Sequence, residues 1–192
     1  MFNLKEGAEL VSLARHAIET LMFNMPLSLE HYKKFTQKHG VYVTLKKNGK
    51  LRGQMGVLET KDELYHAVIK AARDAAFKDR RFSQLAKEEL ESVEIEVAVV
   101  FKPRLLRAPR PEEYFKEIHV GIDGISIRAG VYNAILLPDK NMTYGWDAER
   151  LLRYLCSSAG LTVDSWKGMG HAIHVFQCQM FAERNSKVIE LI

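Results

Sequence analysis

Cysteine is scarce in this chain: Cys156 and Cys178 are its two cysteines among 192 residues. They lie far apart, and no Cys-x-x-Cys pair occurs, so neither a disulfide framework nor a cysteine-bound structural zinc site is expected. The seven histidines supply no alternative ligand set. His171 and His174 fall in a predicted strand, where residues three apart point to opposite faces of the sheet. The sequence therefore predicts no metal site.

Several other signatures are missing. No stretch of 18 apolar residues occurs, so no membrane span is predicted. The first residues, Met1 to Glu6, lack the basic and apolar regions of a signal peptide, and we expect a cytoplasmic protein. Dinucleotide-binding, phosphate-loop and nucleophile-elbow motifs are also absent. We therefore expect no bound cofactor.

The charge balance is mixed rather than strongly basic or acidic. Lys and Arg total 28 and Asp and Glu total 24, giving a net charge of +4 and a pI of about 9.0. No run of five like charges occurs, so a basic arm is excluded, although weak attraction to nucleic acid is permitted. The length and the 47% apolar content are typical of one globular domain, with room for a small lobe formed from the middle of the chain.

Helix signals occur near both ends of the chain and in its first half. Asn3 and Glu6 form a capping-box pattern that predicts a helix from about Leu4 to Phe23. Ser28 is expected to begin a short helix that ends at Gly40. A Thr60–Glu63 capping box predicts a helix that ends near Phe77. A further helix is predicted to begin after an N-cap at Asp147 and to end at Gly160.

Strand signals are mostly those of hairpins. Alternating residues from Val41 to Leu45 precede Asn48-Gly49, the preferred two-residue hairpin turn, and the return strand runs from Lys50 to Leu58. Three further features are predicted: a strand over 93–101, a second hairpin over 120–128 that turns at Asp123-Gly124, and a last strand over 172–182. Because hairpins dominate, we predict an α+β fold with a mainly antiparallel sheet and flanking helices.

The stretch from Leu51 to Gly56 is unusual for a strand. It contains two glycines, which weaken a strand and often mark a bulge or a close approach by a ligand or another backbone. Arg52 has the planar fork that holds a carboxylate or phosphate. Two interpretations are open: a bulged strand packed beneath a helix with Arg52 bound to a surface acid, or an anion-binding site.

Several stretches, in order, resemble the motifs of the AMMECR domain family. Leu51-Arg52-Gly53-Gln54-Met55-Gly56 is similar to its hallmark Leu-Arg-Gly-Cys-Ile-Gly. The match extends from about residue 41 to residue 183. Its further elements are Ala75-Ala76-Phe77-Lys78-Asp79-Arg80-Arg81-Phe82, Glu89-Leu90, Ile95-Glu96-Val97, Gly121-Ile122-Asp123-Gly124-Ile125, Leu136-Leu137-Pro138, Gly145-Trp146-Asp147, Ala159-Gly160-Leu161 and Trp166.

The resemblance implies a larger lobe, a smaller lobe and a cleft, without an established activity. It also implies Memo-type and radical S-adenosylmethionine proteins as partners, since bacterial and archaeal relatives are often encoded with them. Two departures matter. Gln54 stands where the family has cysteine, and a carboxamide is not a nucleophile at neutral pH. Asn133-Ala134 and Lys140-Asn141-Met142 also replace more usual residues around Leu136-Leu137-Pro138.

Three hypotheses about function follow. The favoured one is a binding or adaptor module that acts with a protein partner in an intracellular modification pathway. The alternatives are an enzyme, or enzyme component, with a cleft around Leu51–Gly56, and a weak nucleic-acid binder. The residues predicted to line a shared pocket are Arg52, Gly53, Gln54, Gly56, Asp79, Arg81 and His119.

Overall fold

A computed structural model describes residues 1–139, 145–185 and 187–192. The departures expected at residues 140–142 lie outside this part of the chain. The chain divides into two compact units: unit 1 comprises Met1–Val100 and Gln179–Ile192, and unit 2 comprises Phe101–Cys178. Within the described ranges, no helix has both the length and the apolar content needed to cross a bilayer.

The described elements are four helices and seven strands, with short 3-10 turns between some of them. Their bounds are α1 (Leu4–Met22), β1 (Gly40–Lys47), β2 (Lys50–Val57), α2 (Leu64–Phe77), β3 (Val93–Leu105), α3 (Tyr114–Glu117), β4 (Gly124–Ala129), β5 (Tyr132–Leu136), α4 (Ala148–Ser158), β6 (Ala172–Arg184) and β7 (Lys187–Glu190).

The sheet of unit 1 has the order β2-β1-β3-β6, with β7 beside β6. β1 pairs antiparallel with β2 and β3, and β6 pairs antiparallel with β7. The predicted first hairpin is confirmed, because Asn48 and Gly49 adopt φ of 51° and 72°, the positive values that this turn requires. β2 is the edge strand of this order, so the motif stretch lies on an edge.

The helices of unit 1 bury apolar stripes. Asn3 accepts a hydrogen bond from the backbone N–H of Glu6 (2.9 Å), and Glu6 accepts one from the N–H of Asn3 (2.8 Å). The predicted capping box is therefore confirmed. The inward face of α1 includes Leu10, Leu13 and Ile18, and the inward face of α2 is lined with alanines and Val68. Small residues on α2 let its backbone lie close to the sheet.

Gly53 lies at a close approach between β2 and α2. A Cβ placed on Gly53 would lie 2.3 Å from the carbonyl oxygen of Ala75, far inside van der Waals contact. Gly56 has a different neighbour: its Cβ would meet the backbone of β1, 2.1 Å from Val41 O and 2.6 Å from Tyr42 Cα. Both glycines are therefore required by backbone packing.

In unit 2, β4 pairs antiparallel with β5 and with β6. Its core contains Ile125, Ile127 and Trp166, together with the inward face of α4. Asp147 caps α4 by accepting a hydrogen bond from the N–H of Arg150 (2.8 Å), as predicted. Both units combine helices with antiparallel strands, and the predicted α+β class is confirmed.

The short helix predicted between Ser28 and Gly40 is wrong, because this segment forms turns without a helix. Its carbonyl groups cap α2 instead: Gln37 O accepts from the N–H of Leu64 (2.8 Å) and Phe35 O from that of Tyr65 (3.3 Å). The Thr60–Glu63 capping box is also wrong. Thr60 accepts from the N–H of Asp62, and α2 begins without a side-chain cap.

The second hairpin turns at a different place from the prediction. Asp123 is buried, and its carboxylate accepts a hydrogen bond from the backbone N–H of His119 (2.8 Å). This bond closes a loop before β4, so Gly124 begins the strand. The turn lies instead at Gly130, with φ of 62°. The last predicted strand is also followed by another, β7, where residues 187–190 return antiparallel beside β6.

Replacing Gly53 by alanine should destabilise the protein by about 2 kcal/mol or more, because the added methyl group overlaps a backbone carbonyl that cannot rotate away. Urea unfolding followed by circular dichroism measures this change. Gly168→Ala is the control, since its Cβ would lie 3.5 Å from Ser165 O, an ordinary contact. Equal stability of the two variants would contradict the packing role assigned to Gly53.

Candidate functional site

A β-bulge turns the side chain of Arg52 out of the regular sheet pattern. Leu45 pairs with Gly53, but the next residue, Lys46, pairs with Leu51. Arg52 is thus the extra residue on β2, and a bulge re-aims the side chain of such a residue. The guanidinium group points towards the segment that follows α2.

Arg52 binds Glu89 through two parallel hydrogen bonds. Its Nε lies 3.1 Å from Oε1 of Glu89 and its Nη2 lies 2.7 Å from Oε2. The other donors reach the backbone carbonyls of Ser83 (2.9 Å) and Gln84 (3.3 Å). Lys47 adds a further ion pair to Glu89 Oε1, at 3.0 Å. The planar fork of Arg52 therefore anchors the connecting segment to β2.

The two cations beside Glu89 change its acidity. Hydrogen bonds from Arg52, and next from Lys47, lower the pKa of Glu89 to about 2. The same pairing raises the pKa of Arg52 above its ordinary value, chiefly through the hydrogen bond that Arg52 donates to Glu89. Glu89 is therefore fully ionised at neutral pH, with its lone pairs occupied by Arg52, Lys47 and the N–H of Ala86.

Asp79 and Arg81, which we call the edge clasp, bind the outer edge of β2. The N–H of Gln54 donates to Oδ2 of Asp79 (2.9 Å), and the C=O of Gln54 accepts from Nη2 of Arg81 (3.1 Å). Arg81 and Asp79 also pair with each other, at 2.9 and 2.7 Å. These two side chains therefore occupy backbone groups that a further strand would otherwise bind.

The acidity of Asp79 follows from the same contacts. Burial by itself would raise its pKa, but hydrogen bonds from the Arg81 side chain and from the N–H groups of Gln54 and Arg81 outweigh that effect. The pKa of Asp79 consequently lies below its ordinary value. Phe82 lies between the two arginines, with guanidinium carbons 6.0 Å (Arg52) and 5.6 Å (Arg81) from its ring centroid, and these contacts join the edge clasp to the Arg52–Glu89 pair.

The side chain of Gln54 lies on the sheet face opposite to Gly53. Its amide donates to the hydroxyl of Thr44 (2.9 Å), and Thr44 in turn pairs across the sheet with Glu96. Glu96 is 1% exposed and forms ion pairs with Lys46 (2.8 Å) and Arg184. Gln54 thus begins a polar row that crosses three strands.

The structure brings most of the predicted site residues together. Arg52, Gly53, Gln54 and Gly56 lie on β2, and Asp79 and Arg81 are bonded to that strand. His119 belongs to unit 2, where its Nδ1 lies 3.1 Å from a carboxylate oxygen of Asp123. The bonded network of unit 1 therefore contains Arg52, Gln54, Asp79 and Arg81, whereas Gly53 and Gly56 pack against backbone.

A second candidate site, a groove in unit 2, was not predicted from the sequence. The groove, called the α4 groove below, has a volume of about 480 Å³, and its lining residues are Trp146, Asp147, Glu149, Arg150, Arg153, Tyr154, Ser157 and Val163. Sequence spacing gave a partial signal, because Arg150 and Tyr154 are four residues apart on the face of α4 opposite its buried leucines.

Two compact α+β units with antiparallel strand pairing define the fold class of this chain. The same fold occurs in a crystal structure of an uncharacterised protein from Pyrococcus horikoshii, with a TM-score of 0.85 and 34% sequence identity. The match covers 96% of this chain and 95% of that one.

The family model AMMECR1 matches residues 11–181. A protein of Methanocaldococcus jannaschii is 37% identical over 95% of this chain and 92% of its own length. A protein of Methanothermobacter thermautotrophicus is 39% identical, over 93% and 94%. The chain therefore belongs to the AMMECR1 family, as the resemblance of its motifs implied.

Replacing Glu89 by glutamine should remove a stabilising charge interaction that depends on pH. The folded pKa of about 2 lies below the ordinary value of 4.5, so the ionised carboxylate stabilises the fold above about pH 4.5. This contribution is lost as the pH falls towards 2. At neutral pH the variant should be less stable by about 1–2 kcal/mol, and the difference should shrink at about pH 3.

Urea unfolding of both proteins at the two pH values measures this change. Glu88→Gln is the matched control, because Glu88 is exposed and carries the same charge. A stability difference for Glu89→Gln that is independent of pH would contradict the assigned role of the Arg52–Glu89 pair.

Replacing Asp79 by alanine should open the outer edge of β2. The amide hydrogen of Gln54 would lose its acceptor, and its protection against hydrogen exchange should fall about tenfold or more. Nuclear magnetic resonance measures the exchange of this single amide. Asp74→Ala serves as a control, since Asp74 pairs with the exposed Lys78 on α2. Unchanged exchange at Gln54 in the Asp79 variant would show that the clasp does not close this edge.

Proposed function

We propose that this chain is a binding module that acts with a protein partner in a modification pathway, and that it performs no catalysis of its own. One observation carries the proposal: the charged side chains of the family motifs are bound to one another and to the backbone of β2. Arg52 contacts three acceptor groups and Asp79 accepts four hydrogen bonds. They hold the fold together.

The acidities of this network argue against general acid–base catalysis. A catalytic base works best with a pKa near the operating pH, which enzymes reach by raising the pKa of a carboxyl group. At Glu89 and Asp79 the shift has the opposite sign, because both carboxylates are surrounded by donors. They remain ionised at neutral pH and are weak proton acceptors.

Nucleophilic catalysis is disfavoured for similar reasons. Burial raises the pKa of the Cys178 thiol to about 12, and burial also raises that of Cys156. A thiol reacts as its thiolate, so neither side chain is activated at neutral pH. Gln54 replaces the family's cysteine, and its carboxamide is bound to Thr44. This position supplies no nucleophile.

The class of partner follows from the family resemblance. Relatives encoded beside Memo-type and radical S-adenosylmethionine proteins indicate a shared pathway, and a module without its own reagent would contribute by binding one of those proteins. The α4 groove supports this proposal, because it is an open surface that the motif network of unit 1 does not use. Its aromatic and arginine side chains are among those enriched in protein interfaces.

Mixing the purified chain with the Memo-type protein from the same organism should give a complex with a dissociation constant in the micromolar range or below, because an adaptor needs a specific interface. Isothermal titration calorimetry measures the affinity, and light scattering after size exclusion gives the stoichiometry. The radical S-adenosylmethionine protein is tested in parallel. Gln54→Cys, which restores the family residue, should bind equally well.

A catalytic role is tested on the same samples. The chain is incubated with a metabolite extract, and mass spectrometry follows the consumption of each compound, with Asp79→Ala as the comparison. Failure to bind either partner, together with turnover that Asp79→Ala abolishes, would replace the binding proposal with an enzymatic one.

A further inference from the structure

We propose that the α4 groove binds a peptide segment of a protein partner, one that inserts a bulky apolar side chain and places a carboxylate against Arg150. This inference rests on the proposed binding function and adds the place and the chemistry of the contact. Neither the family motifs nor the comparisons assign a ligand to this groove.

Two aromatic rings and an aliphatic side chain supply its apolar surface. The rings of Trp146 and Tyr154 lie 4.8 Å apart at an angle of 52°. Tyr154 is 42% exposed and Val163 is 43% exposed, although both are large apolar residues. The volume of about 480 Å³ lies within the range of about 300–1,000 Å³ typical of ligand sites. The two rings contact each other, so a leucine or phenylalanine side chain would pack on the surface that they form with Val163.

Of the two arginines that line the groove, Arg150 is the one that can bind a partner's carboxylate. Its guanidinium carbon lies 5.1 Å from the ring centroid of Trp146, and its side chain is exposed. Arg153 is already shared between Glu149 (3.6 Å) and Asp164 (4.0 Å). Arg150 forms no ion pair with any carboxylate in residues 1–139, 145–185 and 187–192. It therefore has its donors available for a carboxylate from a partner.

The charge distribution favours a peptide over a polyanion. The lining contains two acids, Asp147 and Glu149, and two arginines, so its formal charges cancel. A nucleic-acid strand would bring several phosphates towards those acids, whereas strong phosphate binding depends on an excess of cations. A peptide with one carboxylate beside an apolar residue can pair with Arg150 and keep its other groups away from Asp147 and Glu149.

The groove is preorganised for binding, because α4, which carries most of its lining residues, is held rigidly in unit 2. The other face of α4 is buried through Leu151, Leu152 and Leu155, and the Asp147 cap fixes its first turn. Side chains on a helix held in this way lose little further freedom on binding, which lowers the entropic cost of association. This constraint favours a defined peptide motif over nonspecific adhesion.

Selection of a displayed random dodecapeptide library on the full-length chain tests the proposal. The expected result is enrichment of peptides in which leucine, phenylalanine or another bulky apolar residue lies one helical turn or less from Asp or Glu. Enriched peptides are then synthesised with a fluorophore, and their affinities are measured by fluorescence anisotropy.

Variants locate the contact. Arg150→Glu should weaken the selected peptide about tenfold or more, because repulsion replaces attraction, and should favour a peptide whose acid is changed to lysine. Tyr154→Ala should weaken binding about 30-fold if the ring is a central anchor of the interface. Arg128→Glu is the matched control: Arg128 is an exposed residue of unit 2 on β4, outside the groove lining, and the same charge change there should leave affinity unaltered.

The proposal is overturned if no peptide is enriched, if enriched peptides lack an acid, or if Arg150→Glu and Arg128→Glu have equal effects. Fluorescent oligothymidylate is a further probe, and binding that Arg150→Glu abolishes would assign the groove to nucleic acid instead. Failure of this site can be distinguished from failure of the proposed function. If a Memo-type partner binds the wild type and Arg150→Glu with equal affinity, the binding function is supported and this site is refuted.

Discussion

The exposed edge of β2 is the constraint on which the arrangement of unit 1 depends. An edge strand presents unpaired N–H and C=O groups, and a protein must cover them or risk pairing with another chain. Here Asp79 and Arg81 bind the N–H and C=O of Gln54. Two residues earlier, a bulge releases Arg52 to hold the connecting segment through Glu89 and two carbonyl groups. The segment after α2 therefore covers the edge through side-chain bonds, without adding a strand.

This use of charge determines the acidity of the motif carboxylates. A carboxylate that accepts several hydrogen bonds is stabilised in its ionised form, which lowers its pKa and its basicity together. Asp79 cannot both hold the Gln54 amide and exchange protons with a substrate during turnover without opening the edge that it closes. A cluster of charged residues in matched motifs is thus compatible with a structural role, and the lowered pKa values of Glu89 and Asp79 follow from the donors that surround them.

The sequence predicted local features wherever the local signal and the tertiary contacts agreed. The Asn48-Gly49 turn and the Asn3–Glu6 box are determined by a few adjacent residues, and both form. The Ser28 helix does not, because Phe35 O and Gln37 O are bound by the first N–H groups of α2, contacts that no local pattern reveals. Asp123-Gly124 has the composition of a hairpin turn, yet a buried carboxylate bound to His119 N makes it the start of β4. Motif order predicted that Arg52, Gln54, Asp79 and Arg81 line one pocket, and the structure places them around β2 as a network of bonded side chains. The α4 groove was missed because the sequence pattern does not show that Trp146 and Val163, on either side of α4, share a surface with Tyr154.

The structural task of Gln54 depends on its backbone and not on the chemistry of its side chain. The edge clasp binds the backbone N–H and C=O of this residue, and every amino acid except proline supplies both groups. The side chain points the other way, towards Thr44, so cysteine and glutamine satisfy the clasp equally. A change of side chain at this position therefore leaves the backbone contacts at the edge of β2 in place. The structural requirement at position 54 is therefore met by the backbone, whose N–H and C=O are bound by Asp79 and Arg81.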